Sequence, residues 1–327
     1  MRVTRTVLSV ILLGGLQAWG SAYTLEVRNG GCARERAVIS RTVTREWAAS
    51  APTHTLVETS GGRETPVACG IDASGRAPVL FWQLSGKTEP NAVRRFSWAP
   101  KGKAAAAESD LRLTLTLDSL SISNGYFILK HPAKGGGGFP SDLAYAQSGA
   151  SDPRLFFLDR IVRPQGEGGR LASYCAKDCE DAEARVVFQS PLRVVVEVKT
   201  GFGKKAADTP GHPCVCYRYT YAAFSPVVEV SARYTREDDG PWRELHFMHL
   251  TRAERHYTAI VSGDVPQVHA MQAKGARSKP VYAPQWAVMT DGTNACGVGF
   301  DGANGWDASD EFVYYVRSGC MPWAGRT

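Results

Sequence analysis

Leu111-Arg112-Leu113-Thr114-Leu115-Thr116-Leu117-Asp118 sets leucines two residues apart with polar residues between them. Successive side chains of an extended chain point to opposite faces, so this spacing collects the leucines on one side and predicts a half-buried strand. The same period recurs at Leu192, Val194, Val196 and Val198, opposed by Arg193, Glu197 and Lys199. It recurs again at Val228, Val230, Ala232 and Tyr234, opposed by Glu229, Ser231 and Arg233. Gly, Pro, Asn and Asp clusters separate many further extended stretches, as turns between strands require. No segment carries a long helical stripe, and 33 glycines with 18 prolines suit a loop-rich β protein. The predicted class is all-β, a large antiparallel β-sandwich preceded by a small β module.

The organisation follows from breaks in this pattern. Arg2 and Arg5, the apolar run Val7 to Leu16 and the small residues Gly20-Ser21-Ala22 have the form of a secretory signal peptide over residues 1–22. The apolar run is well short of the ~20 residues that span a bilayer. No later stretch reads as a membrane span, so the expected location is outside the cytoplasm, periplasmic or secreted. Trp98-Ala-Pro-Lys-Gly-Lys-Ala-Ala-Ala-Ala-Glu-Ser-Asp110 lacks periodicity. It divides a small β module over 23–98 from a sandwich over 110–327, with 99–109 as the linker. The chain ends soon after Cys320-Met-Pro-Trp-Ala-Gly-Arg-Thr327 without an evident closing strand, so the sandwich is expected to be incomplete there. Gly135 to Gly138 reads as a flexible connection, since no Gly-Lys-Ser/Thr ending makes it a phosphate loop.

The formal net charge of +6 falls to +4 once Arg2 and Arg5 leave with the leader. Basic residues are scattered without Lys/Arg blocks, which argues against a nucleic-acid partner. The even set Cys32, Cys69, Cys175, Cys179, Cys214, Cys216, Cys296 and Cys320 favours disulfides in an exported chain. Proximity suggests Cys32–Cys69 and Cys296–Cys320. Cys175 and Cys179 with His212, Cys214 and Cys216 offer a structural zinc set as the rival reading. No metal and no cofactor is expected in the main reading.

The residues that carry chemistry centre on Trp242-Arg-Glu-Leu-His-Phe-Met-His-Leu250. Alternation puts Trp242, Glu244 and His246 on one face and Leu245, Phe247 and His249 on the other. A tryptophan plate stacks on the apolar face of a sugar ring, while Glu and His exchange protons near neutral pH. His256 and Tyr257 follow closely, so Glu244, His246, His256 and Tyr257 are the catalytic candidates and Trp242 a substrate contact. In Cys214-Val-Cys-Tyr-Arg-Tyr-Thr-Tyr221 one face carries Tyr217, Tyr219 and Tyr221, either a glycan platform or core. Arg218 lies on the opposite face and, with Arg233 and Arg236, suits a uronate carboxylate, because a guanidinium grips it bidentately. Arg218, Tyr219 and Arg236 complete the substrate-binding set.

Three stretches together resemble the galactose-mutarotase-like β-sandwiches of exported bacterial carbohydrate-active proteins, notably those like exo-rhamnogalacturonan lyases. They are Leu120-Ser-Ile-Ser-Asn-Gly-Tyr-Phe-Ile-Leu-Lys130, Ser190-Pro-Leu-Arg-Val-Val-Val-Glu-Val198 and Tyr217-Arg-Tyr-Thr-Tyr-Ala-Ala-Phe-Ser-Pro-Val-Val-Glu-Val230. The resemblance covers about 110–300 and implies a sugar site on the concave face of a supersandwich, with a poly- or oligosaccharide as partner. It implies a polysaccharide lyase or glycoside hydrolase acting on an acidic or pectin-like glycan. In a lyase a Tyr or His removes the proton beside a neutralised uronate carboxylate. The alternative is a non-catalytic glycan-binding or structural envelope protein.

Overall fold

A computed structural model describes residues 24–100, 105–152, 156–157, 159–165, 169–238, 244–247, 250–251, 258–262, 267–270, 286–299, 312–317 and 320–326. The architecture is all-β, with several antiparallel sheets and a single short α-helix, Arg45–Ser50, among the described residues. No helix there is long and apolar enough to cross a membrane. The chain divides into two compact units, one of residues 1–112, 186–195 and 220–229, the other of 113–185, 196–219 and 230–327.

In the first unit the sheet order is Thr24–Arg28, Val93–Pro100, His54–Ser60, Arg63–Pro66. A second sheet runs Val38–Thr42, Val79–Gln83, Cys69–Asp72. Leu25, Val27, Phe96 and Trp98 from one sheet and Ile39, Leu80 and Trp82 from the other share one core. Phe81 leaves the opposite face of its strand and joins Ala68, Leu192 and Ala223 in a second apolar cluster. A side chain at Gly70 would meet the Phe81 ring at 2.5 Å, so only glycine fits beneath it. Thr44 starts the helix by accepting a hydrogen bond from the Trp47 N–H at 3.3 Å. Residues after 104 are strapped down: the Gln83 amide bonds both backbone groups of Glu108, and the Asp110 carboxylate accepts from the Phe224 N–H at 2.8 Å.

The second unit carries the sheet Arg112–Leu115, Ser119–Ser123, Phe127–Pro132, Asp142–Tyr145, Ser151–Asp152. Its largest sheet runs Phe156–Phe157, Leu250–Thr251, Cys320–Arg326, Glu244–Phe247, Arg160–Gln165, Arg170–Cys175. Another sheet runs Gln267–Ala270, Ala259–Ser262, Trp286–Thr290, Ala295–Gly299. The strands Glu183–Gln189, Arg193–Gly201, Cys214–Ala222 and Val228–Thr235 lie side by side in that order, and the division between units passes through them.

The leucine repeat folds differently from the eight-residue strand its period predicts. The strand ends at Leu115, and Thr116 closes a hairpin onto Ser119 through a backbone bond of 2.9 Å and its own hydroxyl. Leu117 therefore sits in the turn, 98% exposed. The glycine run is likewise a fixed turn and no flexible link. Gly135 to Gly138 all have φ between +57 and +70, and the Gly137 N–H donates to the Cys179 carbonyl.

Among the described residues the expected disulfides are not formed: Cys32, Cys69, Cys175, Cys179, Cys214, Cys216 and Cys296 are in the thiol form. Their sulfurs have other partners. Cys179 accepts the Gly201 N–H at 3.3 Å, and Cys214 lies 2.8 Å from the Thr235 hydroxyl. The backbone at Cys296 pairs with Met289 and that at Cys320 with Thr251, in different sheets.

Candidate functional site

The tyrosine strand shows which of its faces is interior. Tyr217, Tyr219 and Tyr221 are 0 to 1% exposed, so Tyr219, expected to touch substrate, belongs to the core. Its neighbour on that face is His131, edge-on with ring centroids 4.9 Å apart. The Tyr217 hydroxyl donates to the buried Asp159 carboxylate at 2.6 Å, and the Tyr234 hydroxyl lies 3.3 Å away. Burial first, and the Asp159 charge second, push the Tyr217 and Tyr234 hydroxyls far above the usual tyrosine value, so both stay protonated. These groups support the site from below and do not exchange protons.

His131 is fully buried, with Nδ1 2.8 Å from the Gly138 carbonyl. Burial pushes its pKa down from 6.5 to about 4, the carbonyl opposing weakly. A histidine depressed in the folded state contributes stability that is present above 6.5 and lost as pH falls towards 4, because the unfolded chain binds the proton first. Unfolding free energy is expected to drop by about 3 kcal/mol across that window. Denaturant titrations at several pH values check it: His131→Asn should flatten this part of the profile, and an unchanged slope would assign it to other groups.

Above this interior lies an open cleft of about 400 Å³, lined by Ser173, Tyr174, Cys175, Asp178, Glu180, Gly203 and Lys204. One wall is the end of the strand Arg170–Cys175 and the 3₁₀ turn Ala176–Asp178 that follows. The turn is anchored from beneath: the Ala176 N–H donates to the Asp159 carbonyl at 2.8 Å, and the Thr200 hydroxyl reaches the Ala176 carbonyl at 3.5 Å. The other wall is the segment around Gly203, whose N–H donates to the Cys175 carbonyl at 3.0 Å, while the Lys204 carbonyl accepts from the Glu180 N–H at 2.8 Å. Gly203 has φ +88, and a Cβ there would stand 2.9 Å from the Thr209 hydroxyl and 3.5 Å from the Tyr174 ring. Lys177 holds Asp178 at 2.5 Å. Burial, then Asp178, raises the Cys175 thiol, which is therefore protonated and a weak nucleophile. The cleft thus offers one aromatic face, a hydroxyl, two carboxylates and an ammonium, all on braced backbone.

The remaining sequence candidates fall in three places. Glu244 and His246 lie on the strand Glu244–Phe247, whose Leu245 is buried. The register aligns His246 with Arg160, and Arg160 with Cys175; it aligns Glu244 with Val162, and Val162 with Ser173. Both candidates therefore share sheet rows with cleft residues, two strands away, or roughly 10 Å at the usual strand spacing. Trp242, His256 and Tyr257 lie outside the described residues. Arg218 is on the charged face of its strand, 3.5 Å from Glu197, and Arg236 is exposed beyond the end of Val228–Thr235. The cleft was not legible in the sequence because its walls come from residues 173–180 and 203–204. The glycines at 201 and 203 were the one local signal. Among the described residues no group of three His, Cys, Asp or Glu side chains is disposed to hold a metal ion.

No protein-family model and no curated protein matches the chain in sequence. Solved structures do match in fold. One is a protein in glycosyl hydrolase family 38 from Enterococcus faecalis, with a TM-score of 0.56 and 12% identity, over 93% of this chain and 40% of that one. Another is an α-mannosidase from Enterococcus faecalis V583, with a TM-score of 0.55 and 11% identity, over 93% of this chain and 37% of that one. The chain spans about two fifths of the length of these two proteins, and at such identity the likeness is one of fold alone: this is an all-β chain that shares its fold with part of each.

Proposed function

We propose that the chain is an exported carbohydrate-active protein that takes a saccharide into the cleft of its second unit. The observation that carries this reading is the lining itself. The Tyr174 ring suits the apolar face of a sugar, and Ser173, Asp178, Glu180 and Lys204 suit its hydroxyls. The resemblance to galactose-mutarotase-like sandwiches of the exo-rhamnogalacturonan-lyase kind, and the fold shared with glycosyl hydrolase family 38 structures, support the same direction. An acidic or pectin-like glycan is the substrate class that Arg218 and Arg236 favour, neither of which lines the cleft. In a lyase, Glu244 or His246, or His256 or Tyr257, takes the proton beside the uronate carboxylate. The freed electron pair forms the C=C bond as the glycosidic C–O bond breaks, and the departing oxygen takes up a proton. In a hydrolase, carboxylates take the acid and base roles instead.

A non-catalytic binding role is the second reading. It is favoured because, among the described residues, the cleft lining contains no histidine and its thiol is held protonated. The test is incubation with acidic and neutral polysaccharides, following reducing ends and the ultraviolet absorbance of unsaturated uronates, with binding measured in parallel. Tyr174→Ala is expected to weaken glycan binding at least tenfold with folding intact. Product formation lost in His246→Ala supports catalysis, binding without product supports the second reading, and neither signal with folded protein overturns both.

A further inference from the structure

The sheet that buries the tyrosines carries a charged row on its other face. Glu197, only 13% exposed, receives Arg185 at 2.7 Å, Arg218 at 3.5 Å and Lys199 at 3.9 Å. Burial alone would raise its pKa, but these three cations outweigh that and hold the carboxylate below its ordinary value. Arg233 acts with Lys199 and Arg218 on the intervening Cys216 thiol, and Glu183 acts on Arg185 at the rim. Against the two carboxylates stand four cations, and Arg185 and Lys199 are 54 and 61% exposed. Their strands are consecutive in the sheet, so the row crosses it at the inter-strand spacing, about 14 Å over four strands. The opposite face, with Val196, Val198, Tyr217 and Tyr219, is buried and fixes the row in place.

We propose that this row is a separate anchoring site for the anionic groups of an acidic polysaccharide, carboxylate or sulfate ester, outside the cleft. It rests on reading the chain as a glycan-handling protein. Glu197 holds the Arg185 guanidinium through one nitrogen, while the exposed Arg185 and Lys199 side chains can still turn donors towards an incoming anion. A single anion would gain little against water and salt at so exposed a position. A polymer engages several cations at once, and each further contact is intramolecular. Nucleic acid fits less well. The surplus of two charges is small for a phosphate backbone, and Cys214, Cys216, Ser231 and Thr235 supply no ring on which a base could stack.

Retardation in affinity gels containing polygalacturonate, sulfated dextran, neutral dextran or single-stranded DNA tests the site. Wild-type protein is expected to be retarded by one or both acidic polysaccharides in a salt-sensitive way. R185Q/K199Q/R233Q should weaken this at least tenfold, and K199Q/R233Q, which leaves Arg185–Glu197 intact, several-fold; thermal unfolding shows that both are folded. Tyr174→Ala should remove only the cleft's share of the retardation and leave its salt-sensitive share, which the row variants abolish; the gel that retards identifies the anion. Retardation unaffected by the row variants, or stronger on DNA, overturns the proposal. So does absence of retardation on both acidic gels. In that case, neutral-glycan binding that needs Tyr174 would leave the cleft reading standing, and its absence would remove both.

Discussion

Alanine at Gly137 is expected to lower the stability of the chain by about 2–5 kcal/mol and to weaken ligand binding in the cleft. Two costs add there. The residue has φ +67, a region that costs an L-residue roughly 1 kcal/mol or more. The added Cβ would also lie 2.6 Å from the Ala176 carbonyl oxygen and 2.7 Å from the Phe139 ring. Backbone cannot swing aside as a flexible side chain does, so the turn or the ring must move, and overpacking of this kind typically costs 1–3 kcal/mol. Phe139 in turn packs edge-on against Tyr217 at 5.1 Å, so the displacement runs into the Asp159–Tyr217 hydrogen bond. Gly149 is the internal control: its φ is also +67, but nothing lies within 4 Å of its Cβ position. Gly149→Ala should cost about 1 kcal/mol, the backbone share alone. Denaturant unfolding of the two variants separates the shares, and equal losses would mean that the contacts at Gly137 relax freely. Because Ala176 opens the turn that walls the cleft, Gly137→Ala should also reduce glycan affinity, whereas Gly149→Ala should not.

That glycine run marks the limit of what the sequence discloses. Four consecutive glycines without a motif read as a flexible link. Their contacts, Ala176 and Val198, are roughly 40 and 60 positions away, and a local reading cannot see them. The tyrosine strand was legible in its alternation but ambiguous in its polarity. A phenol suits a sugar or a core equally, and only the buried Asp159 acceptor, 58 residues away, decides for the core. Leu111–Asp118 kept its period while its course changed, because the Thr116 hydroxyl offers Ser119 an acceptor and turns the chain there. What was legible followed directly from period two: the all-β class, the burial of Val194, Val196 and Val198, and the separation of Arg218 from the tyrosines. The cysteines misled for the opposite reason. Their even number argued for pairing, yet the strand or turn that holds Cys179 or Cys214 gives its sulfur another partner.

Asp72→Ala is expected to cost the first unit about 3–5 kcal/mol, the range found when one partner of a buried ion pair is removed. Asp72 is 2% exposed and Arg193 8%. The Arg193 Nε donates to the carboxylate at 3.3 Å, and Nη2 reaches the Thr220 hydroxyl at 3.4 Å. The other carboxylate oxygen accepts from the Ser74 N–H at 2.9 Å and from its hydroxyl at 2.5 Å. Truncation therefore removes the carboxylate that faces this buried guanidinium and breaks the turn after Cys69–Asp72. The pair is no proof of net stabilisation, since desolvating two charges offsets most of their attraction. The double variant Asp72→Leu/Arg193→Met is accordingly expected to recover much of the loss, though not the Ser74 turn. Arg193→Met alone should be costly too, for it strands the carboxylate. If the double variant were no better than Asp72→Ala, the damage would lie in the turn and the packing around Phe81 and Leu192. A recovery of 2 kcal/mol or more would locate it in the unpaired charge. The distinction bears on this unit's organisation, because Arg193 joins the strand Arg193–Gly201 to the sheet of Cys69–Asp72 through a contact 121 residues apart in sequence. A segment from the middle of the chain is thereby held against the strand Cys69–Asp72 by an ion pair beside the apolar cluster of Ala68, Phe81, Leu192 and Ala223. An apolar seam tolerates slippage that a single buried charge pair does not, so the double variant should regain stability yet unfold less cooperatively.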